Sequence, residues 1–453
     1  MKRVLWVAAV YFGACGAPVT VMPGDPDSGV PRVDGGALDA GVDGGGSADA
    51  GVEVDAGFDD AGLLDAGLDD AGFDAGLPPS DAGQAVDWRF VPIPGSQCAL
   101  GAQTGFGYAP GSATELVLFL QGGGACWNTG TCQPSLQTWG PVCNYGSNAP
   151  CLWDEPGGTK PLAAFVSHPD PFPADGGGAF PSELGSVKSS VLFSRLPQNP
   201  LRGASFVFVP YCTGDLHAGD ATATYLVKPD LVTPPSPRTH HFAGARNMDL
   251  FLAELRARHP QLTTVWLMGV SGGGYGASLN LHRVRAAFPE AEVHLLADSA
   301  PMLDSPHYAA WKTAWNLQLP PGCGSACDAG LSGVMERELD LLPTTSRAAL
   351  LAFEEDPVIT RFFYSGGTTG SWLTPPFATY RANLNDELTL YDARTNAKYF
   401  VLPGQEHVML AGYGVVQSDG GVTVPRRSAD GGTSLQAWVD AWATGSGAWV
   451  NVH

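Results

Sequence analysis

Ser271 is the residue around which chemistry is most legible, because LMGVSGGGYGASLN (267–280) breaks an apolar run with one serine and surrounds that serine with glycine. Gly269-Val270-Ser271-Gly272-Gly273 fits GxSxG between a strand-like run and a helix-like one, the setting of a nucleophile elbow. So sharp a turn needs small flanking residues, which let strand and helix approach and leave the hydroxyl exposed. The helix N-terminus behind Ser271 would favour developing negative charge, and the Gly272 amide is placed to donate to an oxyanion. The plainer reading is a tight turn or a phosphate-cradling loop. A Walker loop requires GK[ST], which is absent here, and a dinucleotide fingerprint would sit on the first strand of its unit.

A serine nucleophile needs a base and an acid to orient that base, in the chain order Ser, then Asp or Glu, then His. Five histidines follow Ser271. His282 falls mid-helix, His294 inside a strand, His307 too early and His453 at the terminus, which leaves His407 in KYFVLPGQEH, after a strand and a glycine loop. A surface histidine is its bland alternative. For the acid, ALLAFEEDPVI reads as a strand ending in three carboxylates, of which Asp356 is chosen. Glu354 and Glu355 in the same turn, and Asp298 in LLADSAP, are its rivals, since a run of acids is usually a solvated turn. The acid would accept the second ring N–H of His407 and stabilise the imidazolium. LFLQGGGACWN supplies further amide donors, Gly122 to Gly124, straight after an apolar run.

The elements that must position these residues are readable from hydropathy. Apolar runs at 115–121, 204–212, 263–270 and 291–298 read as buried strands, and 349–353 and 398–404 as two more. ARNMDLFLAELRARHP has helical apolar spacing and stops at Pro260, and GYGASLNLHRVRAAFP starts from the glycines and stops at Pro289. Strands alternating with helices predict a mostly parallel sheet covered on both faces.

Composition separates three regions. MKRVLWVAAVYFGACG pairs Lys2 and Arg3 with a short apolar run, so 1–14 reads as an export signal. FGAC resembles a lipobox, which implies lipidation of Cys15 and a tether to the outer membrane, with plain secretion as the rival. No later run approaches the roughly 20 apolar residues of a membrane span. Residues 15–86 are nearly an Asp-Ala-Gly repeat, too poor in apolar mass to offset ordering entropy, and read as a disordered, self-repelling spacer. The irregular spacing lacks the GGxGxD of calcium-binding nonapeptides. This stretch carries about two thirds of the net charge of −21, so the remainder is only mildly acidic, which argues against nucleic acid as a partner. Residues 87–453 suffice for one α/β domain and hold eight of the nine cysteines. Behind an export signal that suggests up to four disulfides, with Cys323 and Cys327 able to close a small loop, whereas paired zinc-ligand spacings are missing. Trp127, Trp139 and Trp153 in a cysteine-rich insertion would suit sugar stacking, although such tryptophans more often pack a core. Asp215 and Asp220 read as turn formers.

Four blocks together carry a family resemblance. LFLQGGGACWNTGTC resembles the LEGGGWCxxxxxC block of the pectin acetylesterase and Notum carboxylesterase family, VFVPYCTGDLHAGD its YCDGxxxxGD block, HFAGARN its FRGxxI segment and GVSGGGYG its GCSAGGxG elbow, in order over about 90–410. The resemblance implies an α/β-hydrolase fold with a cysteine-rich insertion. It implies Ser271 as nucleophile, Gly123, Gly124 and Gly272 as oxyanion donors, Asp356 as acid and His407 as base. The sequence departs from the family in three places: Ile359 stands where DxxQ has Gln, Gly272 where the elbow has Ala, and Gly124 where Trp often follows the paired glycines. The expected protein is therefore a monomeric extracellular serine carboxylesterase acting without metal or organic cofactor on acylated, most simply acetylated, polysaccharide. The alternatives are a non-catalytic glycan binder on the same fold and a secreted lipase or polyester depolymerase.

Overall fold

The six apolar runs form six adjacent strands of an eight-stranded sheet, reaching one of its edges. In the computed structural model, residues 86, 88–101, 103–129, 131–132, 190–227, 234–365, 376–410, 415–416, 422–423 and 432–453 are described. The expected export signal, Cys15, Trp139 and Trp153 lie outside them, as does the spacer except for its last residue, Val86.

An antiparallel edge is built from β1 (Arg89–Pro92) and β2 (Gly105–Ala109). β3 (Glu115–Leu120) and β4 (Ser205–Val209) begin the parallel part, with β2 antiparallel to β4. A separate ribbon, β5 (Ala221–Val227) against β6 (Ser236–Phe242), precedes helix α1 (Gly244–Arg258). Then follow β7 (Thr264–Val270), α2 (Gly272–Ala287), β8 (Glu292–Asp298), α3 (Tyr308–Trp315), α4 (Ser325–Ala329) and α5 (Leu331–Leu341). β9 (Ala348–Phe353), α6 (Pro357–Ser365), α7 (Phe377–Asp392), β10 (Ala397–Leu402) and α8 (Leu435–Thr444) complete the fold. The strand order is β1-β2-β4-β3-β7-β8-β9-β10, and every neighbour pair from β4 to β10 is parallel. This is the expected α/β-hydrolase arrangement.

The strand sequences are continuously apolar because both faces are buried. In β3, Leu116, Leu118 and Leu120 enter one core, and Val117 and Phe119 the other. The first core is covered by α1, which contributes Met248, Phe251, Leu252 and Leu255 at helical spacing, and by α2, α5 and α7. On the opposite face α8 presents Trp438 and Trp442, both fully buried. A buried side chain of this size contributes on the order of 3 kcal/mol, so the sheet is a firm floor for whatever its strand ends carry.

Three disulfides join described residues: Cys98–Cys212, Cys126–Cys132 and Cys323–Cys327. The last closes the small loop expected of GCGSAC. Disulfides of this kind persist in an oxidising compartment.

Candidate active site

Ser271 stands between β7 and α2 with φ 53° and ψ −127°, a left-handed backbone that a serine rarely adopts. The strain is held by backbone bonds: the Ser271 amide donates to the Asp298 carbonyl at 2.7 Å, and the Gly274 and Tyr275 amides donate to the Ser271 carbonyl. Glycine is needed for close approach rather than for flexibility. A Cβ at Gly269 would lie 2.1 Å from the Gly273 carbonyl oxygen, and one at Gly273 would lie 2.0 Å from that of Leu120. Strand and helix therefore meet backbone to backbone, as the GxSxG spacing implied.

The glycine loop after β3 rests on this elbow. A Cβ on Gly122 would come within 3.0 Å of the Ser271 Cβ, and one on Gly272 within 2.6 Å of the Gly123 carbonyl oxygen. The glycine at 272, where the family elbow has alanine, is what permits that approach. Two further residues anchor the loop at Gln121. The His217 ring Nε2 donates to the Gln121 carbonyl at 2.9 Å, and the Tyr211 amide donates to its side-chain Oε1 at 3.0 Å. His217 is buried, lies against Tyr211 with centroids 4.6 Å apart, and has its pKa pushed down to about 4 by that burial, which leaves a neutral donor. Its role was not visible in the sequence, where DLHAGD offers only a histidine between two acids.

His407 follows β10, and its Nδ1 donates to Asp356 Oδ2 at 2.7 Å. Asp356 is fully buried and caps α6 with its other oxygen, which accepts the amides of Val358 and Ile359 at 2.9 and 3.0 Å. The position where the family has Gln thus serves here through its backbone N–H. The rival acids are engaged elsewhere. Glu355 binds Arg381 and Gln405, and Glu354 lies 3.4 Å from His453. Asp298 holds the histidine loop by its backbone. Its two carboxylate oxygens accept the Met409 and Leu410 amides at 2.9 and 2.7 Å, while Ser299 Oγ accepts the Val408 amide at 2.8 Å. Val408 is thereby kept at φ 70°, a conformation unusual for a β-branched residue. The Asp298-Ser299 pair at the end of β8 therefore secures three consecutive amides after His407, and its carbonyl secures Ser271. This is a positioning role that the sequence reading missed.

Burial works against a charged His407. The attraction and hydrogen bond of Asp356, with the charge of Asp298, outweigh burial and raise the imidazole above its ordinary pKa. Burial raises Asp298 to about 6, against the amides that favour its anion. Of the other histidines after Ser271, His282 meets Glu338 at 2.8 Å, the His294 ring accepts the Arg347 amide at 3.0 Å, His453 lies by Glu354, and His307 packs against Trp127 and Trp311 with its Nε2 buried and not hydrogen-bonded.

Asp215 accepts the Thr213 hydroxyl at 2.6 Å and the Gly244 amide at 2.8 Å, and Asp220 pairs with Arg246, so beyond the turn formation expected of them both acids tie their loop to the start of α1. Trp127, beside the glycine loop, is buried against Trp311, Trp315 and Phe362. Its indole belongs to this aromatic cluster. Among the described residues, Cys126, Cys132 and His240 are the one group whose ligand atoms converge as a metal site requires, and the two cysteines are joined to each other.

Residues 189–318, which include the elbow, match the pectinacetylesterase family. No curated protein sequence matches the chain. Two crystal structures of the Wnt deacylase Notum from Drosophila are similar in fold: one at 18% identity and TM-score 0.54, covering 80% of this chain and 94% of the other, and one at 17% identity and TM-score 0.52, covering 82% and 96%. Three of the four sequence blocks lie within the family match, the first, at 118–132, lies outside it, and the fold agrees with the resemblance.

Proposed function

From the pectinacetylesterase match, we propose that the chain is an extracellular serine carboxylesterase that removes acyl groups, most simply acetyl, from a polysaccharide. The observation that carries this reading is the 2.7 Å bond between His407 Nδ1 and buried Asp356, on a loop that Asp298 ties to the same strand end as the strained Ser271. In the proposed reaction His407 Nε2 takes the Ser271 proton as Oγ attacks the ester carbonyl. The amides of Gly123, Gly124 and Gly272 donate to the resulting oxyanion. His407 returns the proton to the leaving alcohol, and a water activated by the same base releases the acid from the acyl-enzyme. No step calls on a metal or organic cofactor.

Family likeness supports acyl-ester hydrolysis as the reaction, and the three disulfides support export. Attachment to the outer-membrane surface through a lipidated Cys15 is part of the proposal and rests on the FGAC motif. The decisive experiment is hydrolysis of p-nitrophenyl esters from acetate to palmitate by the wild type beside Ser271→Ala. Turnover favouring short chains and abolished in the variant is expected. Equal rates for the two proteins would instead favour a glycan binder on this fold, and preference for palmitate would favour a lipase.

A further inference from the structure

A cavity of about 340 Å³ opens between the loop after β8 and helices α4, α5 and α7. Its charges have one sign: Asp304 from the loop, Glu336 from α5, and Asp386 and Glu387 from α7. No lysine or arginine is found among the described residues that line it. Asp304, Glu336 and Asp386 are exposed at the rim, and Asp304 also accepts the Ser332 amide and hydroxyl. Between the acids the wall is apolar, with Met302, Leu303 and Leu390.

Glu387 differs from the rim acids. It is 3% exposed, and no hydrogen bond of ordinary geometry reaches either carboxylate oxygen. Burial lifts its pKa to about 8; the nearby Met302 amide favours the anion and the charge of Asp304 opposes it. The other titratable groups that feel its charge, Tyr275 of α2 and Tyr380 and Tyr391 of α7, are themselves held neutral, their pKa values raised first by burial. A buried carboxyl so weakly partnered is costly, and a cation in the acidic cavity that it lines would offset that cost. A divalent metal fits poorly, because calcium needs several oxygens within about 2.6 Å of one point. The carboxylates of this cavity do not bring even three ligand atoms within 4.8 Å of one another.

We propose that this cavity binds an aliphatic diamine, with one ammonium on Glu387 and the other among the rim carboxylates Asp304, Glu336 and Asp386. The methylene chain lies along Met302, Leu303 and Leu390. Binding is independent of ester hydrolysis. The proton balance is explicit: protonated Glu387 and an ammonium give a carboxylate–ammonium pair and one released proton.

Calorimetric titration of the full chain with 1,4-diaminobutane, in buffers of different ionisation enthalpy, tests the site. Saturable binding is expected, with close to one proton released at about pH 7 and less as pH rises through about 8, where Glu387 ionises; above about pH 9 release gives way to uptake, because the free diamine itself loses a proton there. Glu387→Gln should lower affinity roughly ten-fold or more and abolish the proton release, and Asp386→Asn should lower affinity while keeping it. Hydrolysis of p-nitrophenyl acetate, unchanged in both variants, reports that they fold. Should Glu387→Gln fail to fold, Asp386→Asn and the buffer dependence of the wild type still decide the matter. Absence of saturable binding, binding of calcium chloride but not of the diamine, or binding without proton release at about pH 7 would overturn the proposal.

Discussion

Asp356 divides its two oxygens between two duties, capping α6 with Oδ1 and holding His407 with Oδ2. Asparagine is as good an N-cap as aspartate, so Asp356→Asn should leave the helix in place while removing the charge behind the imidazole. Turnover should fall by roughly 10³- to 10⁴-fold with little change in thermal stability. Near-wild-type turnover would move the acid role to another residue. The same charge fixes a pH dependence. The base must be neutral to accept the Ser271 proton, and Asp356 and Asp298 raise its pKa. Activity should therefore be lost as pH falls, through a midpoint above the ordinary histidine value of about 6.5. In Asp356→Asn that midpoint should move down, a shift that a pH profile of kcat/KM would record. Asp298 acts one step further away, through the amides of Met409 and Leu410. Asp298→Asn keeps one acceptor and sets an N–H against the other amide. Displacing His407 by a fraction of an ångström should lower kcat by about 10²-fold with KM little changed; a change confined to KM would assign Asp298 to substrate binding instead.

At the scale of elements, the elbow works because β7, α2 and the end of β3 meet through bare backbone. Gly273 lies under the Leu120 carbonyl, where a methyl group would stand at 2.0 Å. Gly273→Ala must push β3 and α2 apart, and the expected cost is about 1–3 kcal/mol with loss of most esterase activity. Urea denaturation and p-nitrophenyl acetate turnover measure the two effects, and an alanine variant of normal stability and rate would show that the contact yields freely. These central elements were the legible ones. The six apolar runs and the two helices flanking β7 carry their burial in their own sequences, and the positions of Ser271, Asp356 and His407 follow from where those runs end. The antiparallel β1–β2 edge and the β5–β6 ribbon were not legible. GFGYA is short and glycine-rich, and SPRTHHF is polar with mostly exposed side chains, so neither shows an apolar period. The clamps were hidden for another reason. Asp298, Ser299 and His217 act through backbone amides and carbonyls of segments distant in the chain, and such pairings leave no local pattern in composition.

At the scale of the whole molecule, the expected division at residue 86 sets a mildly acidic domain against a leader that holds about two thirds of the net charge of −21. Among the described residues both cores of the sheet are filled from residue 88 onward, with Val86 packed against one of them and Trp88 buried against Phe193 and Phe206. Cys98–Cys212 then fastens the loop between β1 and β2 to the loop after β4 across 114 residues. The Asp-Ala-Gly stretch has few apolar side chains to add to either core, and its like charges oppose compaction. We therefore expect residues 86–453, produced with their disulfides, to keep the melting temperature of the full chain to within about 2 °C, since a loss of 1 kcal/mol in a domain of this size shifts it by about that much. Turnover of a neutral ester should also be unchanged. A positively charged substrate would respond differently, because the leader's field adds to its attraction at low salt and is screened over roughly 10 Å at 0.1 M. Rates for neutral and cationic esters, with and without residues 15–85, at low and high salt, separate the two effects. A lower melting temperature or a slower neutral ester in the shorter chain would mean that the leader contributes contacts to the fold, and the division at residue 86 would have to be redrawn.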